Sequence, residues 1–406
     1  MILFLFHILF IGSILLAISK TQRELTPLTF WSLGLLKIGS GLIVAYVFMA
    51  YQDGSDTKFL YEQSVLVAGK VKSGWSEYFG FLLDSQFPSF KSESRNLFFG
   101  KILSPVALAT RNNFWLITIY LAFGNFLCGF FLFQNIISLS KEFKWPAFIA
   151  LFLLPSSLAW TSGIFKETLL SSFVFLIIIC LFNITFSKRK ILLTAIILML
   201  CYFIFNIKYY VLPPLVFSLT VLLLGEAKKN WKLTPKAATI GGLTFGLAII
   251  LISSTLQHHL SLSRIPYSLF DNFNAISERS SHQNTFTLNF EASWWSILYY
   301  SPLSIFTGLF RPFPFEGSAT NVLYWFESLF AIVFFAYSFF NIKRWQLTYA
   351  ILALVVFIVT LALFLPMSTG NFGTMARYRV IYWPFFIFLV SIIPKHDIVS
   401  FRQRIG

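Results

Sequence analysis

The sequence predicts an all-α, polytopic membrane protein: a bundle of about eleven transmembrane helices, N-terminus outside and C-terminus cytoplasmic. Three observations predict it. Hydrophobic residues make up 57% of the 406 and charged residues only 12%, about half the charge of an ordinary soluble domain. The apolar residues fall in runs of about twenty, the length at which a helix crosses hydrocarbon. Lys and Arg gather in the short segments between those runs, as they do in membrane proteins with a fixed orientation.

Taken in order, runs long enough to span fall near 2–19, 28–51, 114–140, 145–161, 168–186, 191–207, 209–225, 239–256, 321–341, 346–365 and 378–394. The first has neither a basic leading segment nor a small-residue cleavage motif, so it is expected to stay as a helix. Alternating sides collects Lys20, Arg23, Lys141, Lys144, Lys188, Arg189, Lys190, Lys228, Lys229, Lys232, Lys236, Lys343, Arg344, Lys395, Arg402 and Arg404 on one face, the cytoplasmic one. The other face receives two long loops, 52–113 and 257–320, and short turns holding Lys166, Lys208, Arg377 and Arg379. On this reading residues 1–406 form a single transmembrane domain.

Neither long loop carries the pattern of a folded soluble domain. The first, with "FLYEQSVLVAGKVKSGWSEYFGFLLDS", and the second, with "SWWSILYYSPLSIFTGLFRPFPFEG", read as amphipathic, aromatic helices lying at the membrane surface. Pro302, Pro312 and Pro314 are expected to break residues 293–315 into an interfacial or re-entrant element. The net charge of +15 is scattered in short clusters between apolar runs, which reads as topology and not as a nucleic-acid surface. Cys128, Cys180 and Cys201 sit inside apolar runs as small core residues. The vicinal His258 and His259, with His282, lack the Cys or spaced acids of a zinc site. No phosphate-binding glycine loop, nucleophile elbow or dinucleotide fingerprint in its proper context is present.

The polar groups that remain cluster on the outer side. Asp53 and Asp56 follow the second run, with Tyr61 close behind. A carboxylate there can take a proton from an incoming hydroxyl or hold a divalent cation such as Mg or Mn; the plainer reading is a polar helix stop. Lys166 and Glu167 occupy a tight turn, and Lys208 occupies another beside Tyr209 and Tyr210. A lysine beside a carboxylate suits a phosphate or a charge network, whereas dipole compensation and snorkelling are the plainer account. Arg311, with Glu316, suits a phosphate through its planar fork or serves as an interface anchor. Arg377 and Arg379 are expected at the outer N-terminus of the last span, opposing both the dipole and the topology bias, beside a polar "STGNFGT" whose N–H groups suit an anion. Lys37, within the second run, is expected to snorkel or to pair across helices.

Four stretches, "QDGSDTKFLYEQS", "PSSLAWTSGIFKETLLSSF", "LFRPFPFE" and "GNFGTMARYRVIYWPFFIFL", resemble blocks in bacterial members of the GT-C glycosyltransferase superfamily associated with surface polysaccharides. The resemblance implies transfer of a sugar from a polyprenyl-phosphate donor to a glycan, lipid or protein acceptor on the outer face. It implies Asp53 or Asp56 as base or metal ligand, and Arg377 and Arg379, with Arg311 and Lys166 second, against the donor phosphate. The sequence departs from the family in an extra span before the acid and in a DxxD spacing. Two other readings share the membrane and the outer face: a polysaccharide polymerase or ligase using a lipid pyrophosphate, and a flippase. Transport requires midplane ionisable residues and usually repeats, and here Lys37 is nearly alone at depth while the other charges gather on one face, so the flippase is the least favoured of the three.

Overall fold

The computed structural model describes residues 2–51, 56–84, 92–184, 187–231, 261–318, 321–341 and 348–392. Asp53, His258, His259, the apolar run 239–256 and the basic residues Lys232, Lys236, Lys343, Arg344, Lys395, Arg402 and Arg404 lie outside them. Among the described residues the chain is helical, with one isolated bridge between Thr285 and Asn371. Seven helical stretches among the described residues are long and apolar enough to cross a membrane: Ile2–Thr21, Pro27–Ala50, Phe114–Leu139, Lys166–Ile184, Lys190–Leu224, Val322–Phe340 and Tyr349–Thr369. This is the pattern of a multi-pass membrane protein. The chain divides into two compact units, Met1–Tyr209 and Tyr210–Gly406.

The first unit contains α1 (Ile2–Thr21), α2 (Pro27–Tyr51), α3 (Asp56–Gly69), α4 (Trp75–Leu83), α5 (Ser92–Ala109), α6 (Phe114–Leu139), α7 (Lys144–Phe148), α8 (Pro155–Trp160), α9 (Lys166–Ile184) and α10 (Lys190–Ile207). Its centre is α6, buried along most of its length and packed against α2 and α9. The side chain of Asn113 caps it, accepting from the Leu116 N–H at 3.0 Å. Phe126, Phe130 and Phe133 recur at helical spacing and meet Phe30, Phe148 and Phe152 ring against ring. Lipid tails are as apolar as these rings, so close packing and dispersion, more than exclusion of water, hold them together.

Where backbones approach, the residue is glycine. A Cβ on Gly41 of α2 would run into the Ser162 carbonyl, and one on Gly100 of α5 would meet the backbone of Gln63 in α3. That second approach lets α3 and α5 pair and bury Leu60, Phe99, Leu103 and Ala107 in one cluster with Phe114 and Ile117 of α6. The first long loop is therefore packed onto the bundle through α3 and α5, while α4 leaves Trp75, Phe79 and Leu83 exposed.

The run 145–161 is not one straight helix. After α7 the chain takes a π turn over Ile149–Leu153, becomes extended at Leu154 and restarts as α8 at Pro155. Pro155 supplies the reason: it has no N–H to donate and it disfavours helical backbone at the residue before it.

The second unit contains α11 (Leu212–Trp231), α12 (Ile265–Glu278), α13 (Trp294–Phe310), α14 (Val322–Phe340), α15 (Tyr349–Phe364), α16 (Pro366–Thr369), α17 (Phe372–Arg379) and α18 (Trp383–Ser391). Against expectation, α13 runs unbroken through Pro302 and ends only before Pro312. Pro302 deprives the Leu298 carbonyl of its helical donor, and the Ser301 hydroxyl donates to that carbonyl at 2.8 Å instead. Also against expectation, the second loop builds a core of its own. Phe273, Phe286, Leu288, Phe290 and Ile297 close on Met367, Phe372 and Met375. The apolar residues of this core come from four separated segments, so no local periodicity announces it.

The close approach at Gly41 generates a test. Gly41→Ala should lower stability by about 1–3 kcal/mol through overpacking. Gly39→Ala, where no atom lies within 4 Å, should leave thermal unfolding of the detergent-purified protein unchanged.

Candidate functional site

The candidate residues fall into a cluster in each unit. In the first unit a polar turn, Thr161–Phe165, leads into α9. The Thr168 hydroxyl donates to the Gly163 carbonyl at 2.8 Å and closes this turn. Glu167 therefore starts α9 in a fixed place, with no solvent exposure. Its Oε1 accepts from the Lys208 amine at 2.5 Å. Lys208 ends α10, where its own N–H still bonds the Ile204 carbonyl. The arrangement puts an anion at a helix N-terminus and a cation at a helix C-terminus, so both backbone dipoles support the pair. The two residues are 41 apart in sequence.

Lys166, half-buried, precedes Glu167. Arg95 of α5 lies with its guanidinium 5.6 Å from the Tyr209 ring centre, and its buried Nε makes no hydrogen bond. Sequence reasoning missed Arg95. It sits in the first long loop, whose basic residues carry no topological signal, and only the packing of α5 on α10 brings it to Tyr209.

The acids lie differently. Asp56 is exposed at the first turn of α3, and Asp53 lies outside the described residues. Tyr61 does not point free: its hydroxyl donates to the Asn112 carbonyl at 2.7 Å and its ring packs edge-on against Phe114. Burial and the neighbouring Glu62 push the Tyr61 phenol above its ordinary pKa, which keeps that donor protonated.

Lys37 pairs across helices. Its amine, buried, donates to the Thr161 hydroxyl at 2.5 Å and to the Ser157 carbonyl at 3.3 Å. It thus binds the C-terminal end of α8, a carbonyl-rich helix end that attracts a cation. Among the described residues no carboxylate pairs with it.

In the second unit Arg311 grips Glu316 with two nitrogens, Nε at 3.0 Å and Nη2 at 2.6 Å. Its guanidinium also lies 5.0 Å from the Phe372 ring centre. Arg379 is completely buried. It donates to the Arg311 carbonyl at 2.9 Å, stacks 4.0 Å from the Trp383 ring centre and lies 3.5 Å from Glu327. Glu327 also accepts from the Trp383 indole at 2.9 Å. Arg379 is therefore engaged inside the protein, where it fixes the backbone that carries Arg311.

The expectation that Arg377 and Arg379 open the last helix is corrected. They close α17, a separate helix capped by the Asn371 side chain, and α18 begins only at Trp383. Basic residues in a last turn complement the dipole instead of opposing it. In the "STGNFGT" loop the Gly370 carbonyl accepts from Phe286 N–H at 3.3 Å and Ser277 Oγ at 3.4 Å, and one N–H of the loop, that of Thr374, bonds the Asn371 side chain. Arg377, half-buried, lies on the same helix as Arg379.

Among the described residues no three His, Cys, Asp or Glu converge as a metal site. Of the acid pair, Asp56 alone lies among the described residues. Comparison with protein-family models, with characterised proteins and with solved structures gives no match. The site stands on its own geometry.

Two outcomes follow. Lys208→Met, which takes the amine away from a buried carboxylate, should cost about 3–5 kcal/mol, and the double variant Lys208→Met with Glu167→Leu should recover most of it, both read as thermal unfolding in detergent. Lys37→Met should leave unfolding within about 1.5 kcal/mol of wild type, because the Thr161–Ser157 bond survives without the amine. Lys37→Ala should instead cost about 2–5 kcal/mol by opening a cavity.

Proposed function

We propose that the chain is a membrane glycosyltransferase that moves a sugar from a polyprenyl-phosphate donor to a surface glycan, lipid or protein acceptor on the outer face. One observation carries the reading: the buried Glu167–Lys208 pair stands at the start of α9, with Lys166 next to it in the chain and Arg95 on the ring of the adjoining Tyr209. Cationic side chains of this kind suit a phosphate that gains charge as it leaves. The GT-C resemblance supports the same chemistry. Its orientation is the one read from the basic residues, about eleven spans with the N-terminus outside, and the bacterial resemblance implies the plasma (inner) membrane. The exposed apolar face of α4 suits the interface plane.

The step is a displacement at the anomeric carbon. The acceptor hydroxyl oxygen bonds that carbon while Asp53 or Asp56 takes its proton. The bond from carbon to phosphate oxygen breaks, and the polyprenyl phosphate leaves with the electron pair. Lys166, Lys208 and Arg95 offset the charge that develops there. A divalent ion held by the acid pair would add a further positive charge at the leaving oxygen.

A second reading, a polysaccharide polymerase or ligase acting on a lipid pyrophosphate, is favoured by the second unit. There Arg379 holds the backbone of Arg311, and Arg377 lies on the same helix. Mass spectrometry of lipid-linked and surface glycans from cells lacking the chain separates the two. In complemented cells the missing sugar should return with wild type and fall at least about 100-fold with Asp53→Asn or Asp56→Asn. Return of the sugar with both Asp variants but not with Arg377→Ala selects the second reading. An unchanged glycan profile in every strain rejects both.

A further inference from the structure

The start of α13 holds a surface that the transfer chemistry does not use. Trp295 is 82% exposed, Tyr299 78% and Leu298 64%. Ahead of them Asn289 and Glu291 are exposed on an extended segment, while Phe290 between them is buried. Together with Ser293 and Tyr300 these residues line an open depression of about 680 Å³.

The depression is built into the fold. Phe290 and Ile297 anchor its floor in the core described above. The Ser293 side chain caps α13, and the Ser296 hydroxyl accepts from the Glu291 N–H at 2.8 Å. The Trp294 indole donates to the Leu262 carbonyl at 2.8 Å. The backbone that carries the rings and the polar groups is therefore held in place before anything binds, which lowers the ordering cost of binding.

Exposed Trp and Tyr alone would suit a membrane interface. Glu291 argues otherwise. It makes no ion pair among the described residues, and an unpaired carboxylate disfavours both hydrocarbon and an anionic headgroup layer. Flat apolar rings beside a carboxylate, an amide and hydroxyls match a different ligand. A sugar ring offers an apolar C–H face for stacking and a rim of hydroxyls that donate to a carboxylate.

We propose that this depression is a saccharide-binding shelf for neutral oligosaccharides. Trp295 and Tyr299 carry the stacking face, and Glu291 and Asn289 take the rim hydroxyls. Glu291 repels uronic acids and so sets the preference for neutral sugars. That the bound saccharide serves as the sugar acceptor rests on the transferase reading; the binding itself does not.

The test uses the full chain in detergent, applied to an array of neutral hexose, N-acetylhexosamine and uronic-acid oligosaccharides. Wild type should bind neutral members, Trp295→Ala and Tyr299→Ala should each weaken binding at least tenfold, and Glu291→Gln should admit uronic acids. Absence of binding across the array, or binding that both ring variants retain, overturns the shelf. A second arm places a nitroxide at Tyr299→Cys in nanodiscs, with Cys128, Cys180 and Cys201 replaced by Ala. Relaxation by an aqueous nickel chelate is the expected result, and preferential relaxation by oxygen would assign the rings to lipid and overturn the proposal. The two readings fail separately. Saccharide binding through Trp295 with no sugar transfer in any strain rejects the transferase and keeps the shelf. Sugar transfer by wild type with no binding on the array, or with binding that both ring variants retain, rejects the shelf and keeps the transferase.

Discussion

An ion taken out of water must find its counterpart inside the protein, and the first unit is organised around that constraint. Glu167 and Lys208 meet at 2.5 Å with almost no exposure, in surroundings where an unmatched charge would be far costlier than at a surface. Meeting there fixes where α9 begins and where α10 ends. The turn before Glu167 is then set as well, because Thr168 bonds back to Gly163, and Lys37 fastens the other side of the turn through Thr161. One ion pair thus determines the placement of a whole polar segment between apolar helices.

The second unit meets the same constraint by a different arrangement. Arg379 spreads its charge over a carboxylate, an indole face and a backbone carbonyl. A planar guanidinium can do all three at once, which an ammonium cannot. The carbonyl belongs to Arg311, and Arg311 in turn holds Glu316, so charge balance in the interior sets the geometry of a loop near the surface. Around both networks the apolar packing is permissive. Phenylalanine ladders and glycine contacts bring helices close without prescribing which residues face a ligand.

Much of the fold was legible in the sequence because length and hydropathy act locally. The runs at 2–19, 28–51 and 114–140 became α1, α2 and α6 with boundaries near those expected. Proline was read badly twice: the span expected over 145–161 ran through Pro155, where the chain breaks, and a break was expected at Pro302, where a neighbouring serine takes over the orphaned carbonyl. The core under the second loop was invisible because its members are far apart along the chain. The site was legible in residue type more than in role. Glu167 and Lys208 stood out as charges in apolar company, but only the fold joins them. Arg379 stood out equally, yet it serves the interior. Arg95 carried no signal at all, since an arginine in a long polar loop is unremarkable until a helix presses it onto Tyr209.

The Glu167–Lys208 pair also bears on how such a chain is made. Its two halves leave the ribosome 41 residues apart, and each is expensive to bury without the other. A membrane-insertion machinery that released α9 before α10 would have to shelter a lone carboxylate beside the lipid. The two helices are therefore best delivered as one hairpin, with the charges neutralised before either reaches the bilayer. An interaction that positions a polar turn in the mature protein is, on this view, also an instruction about the order of biosynthesis.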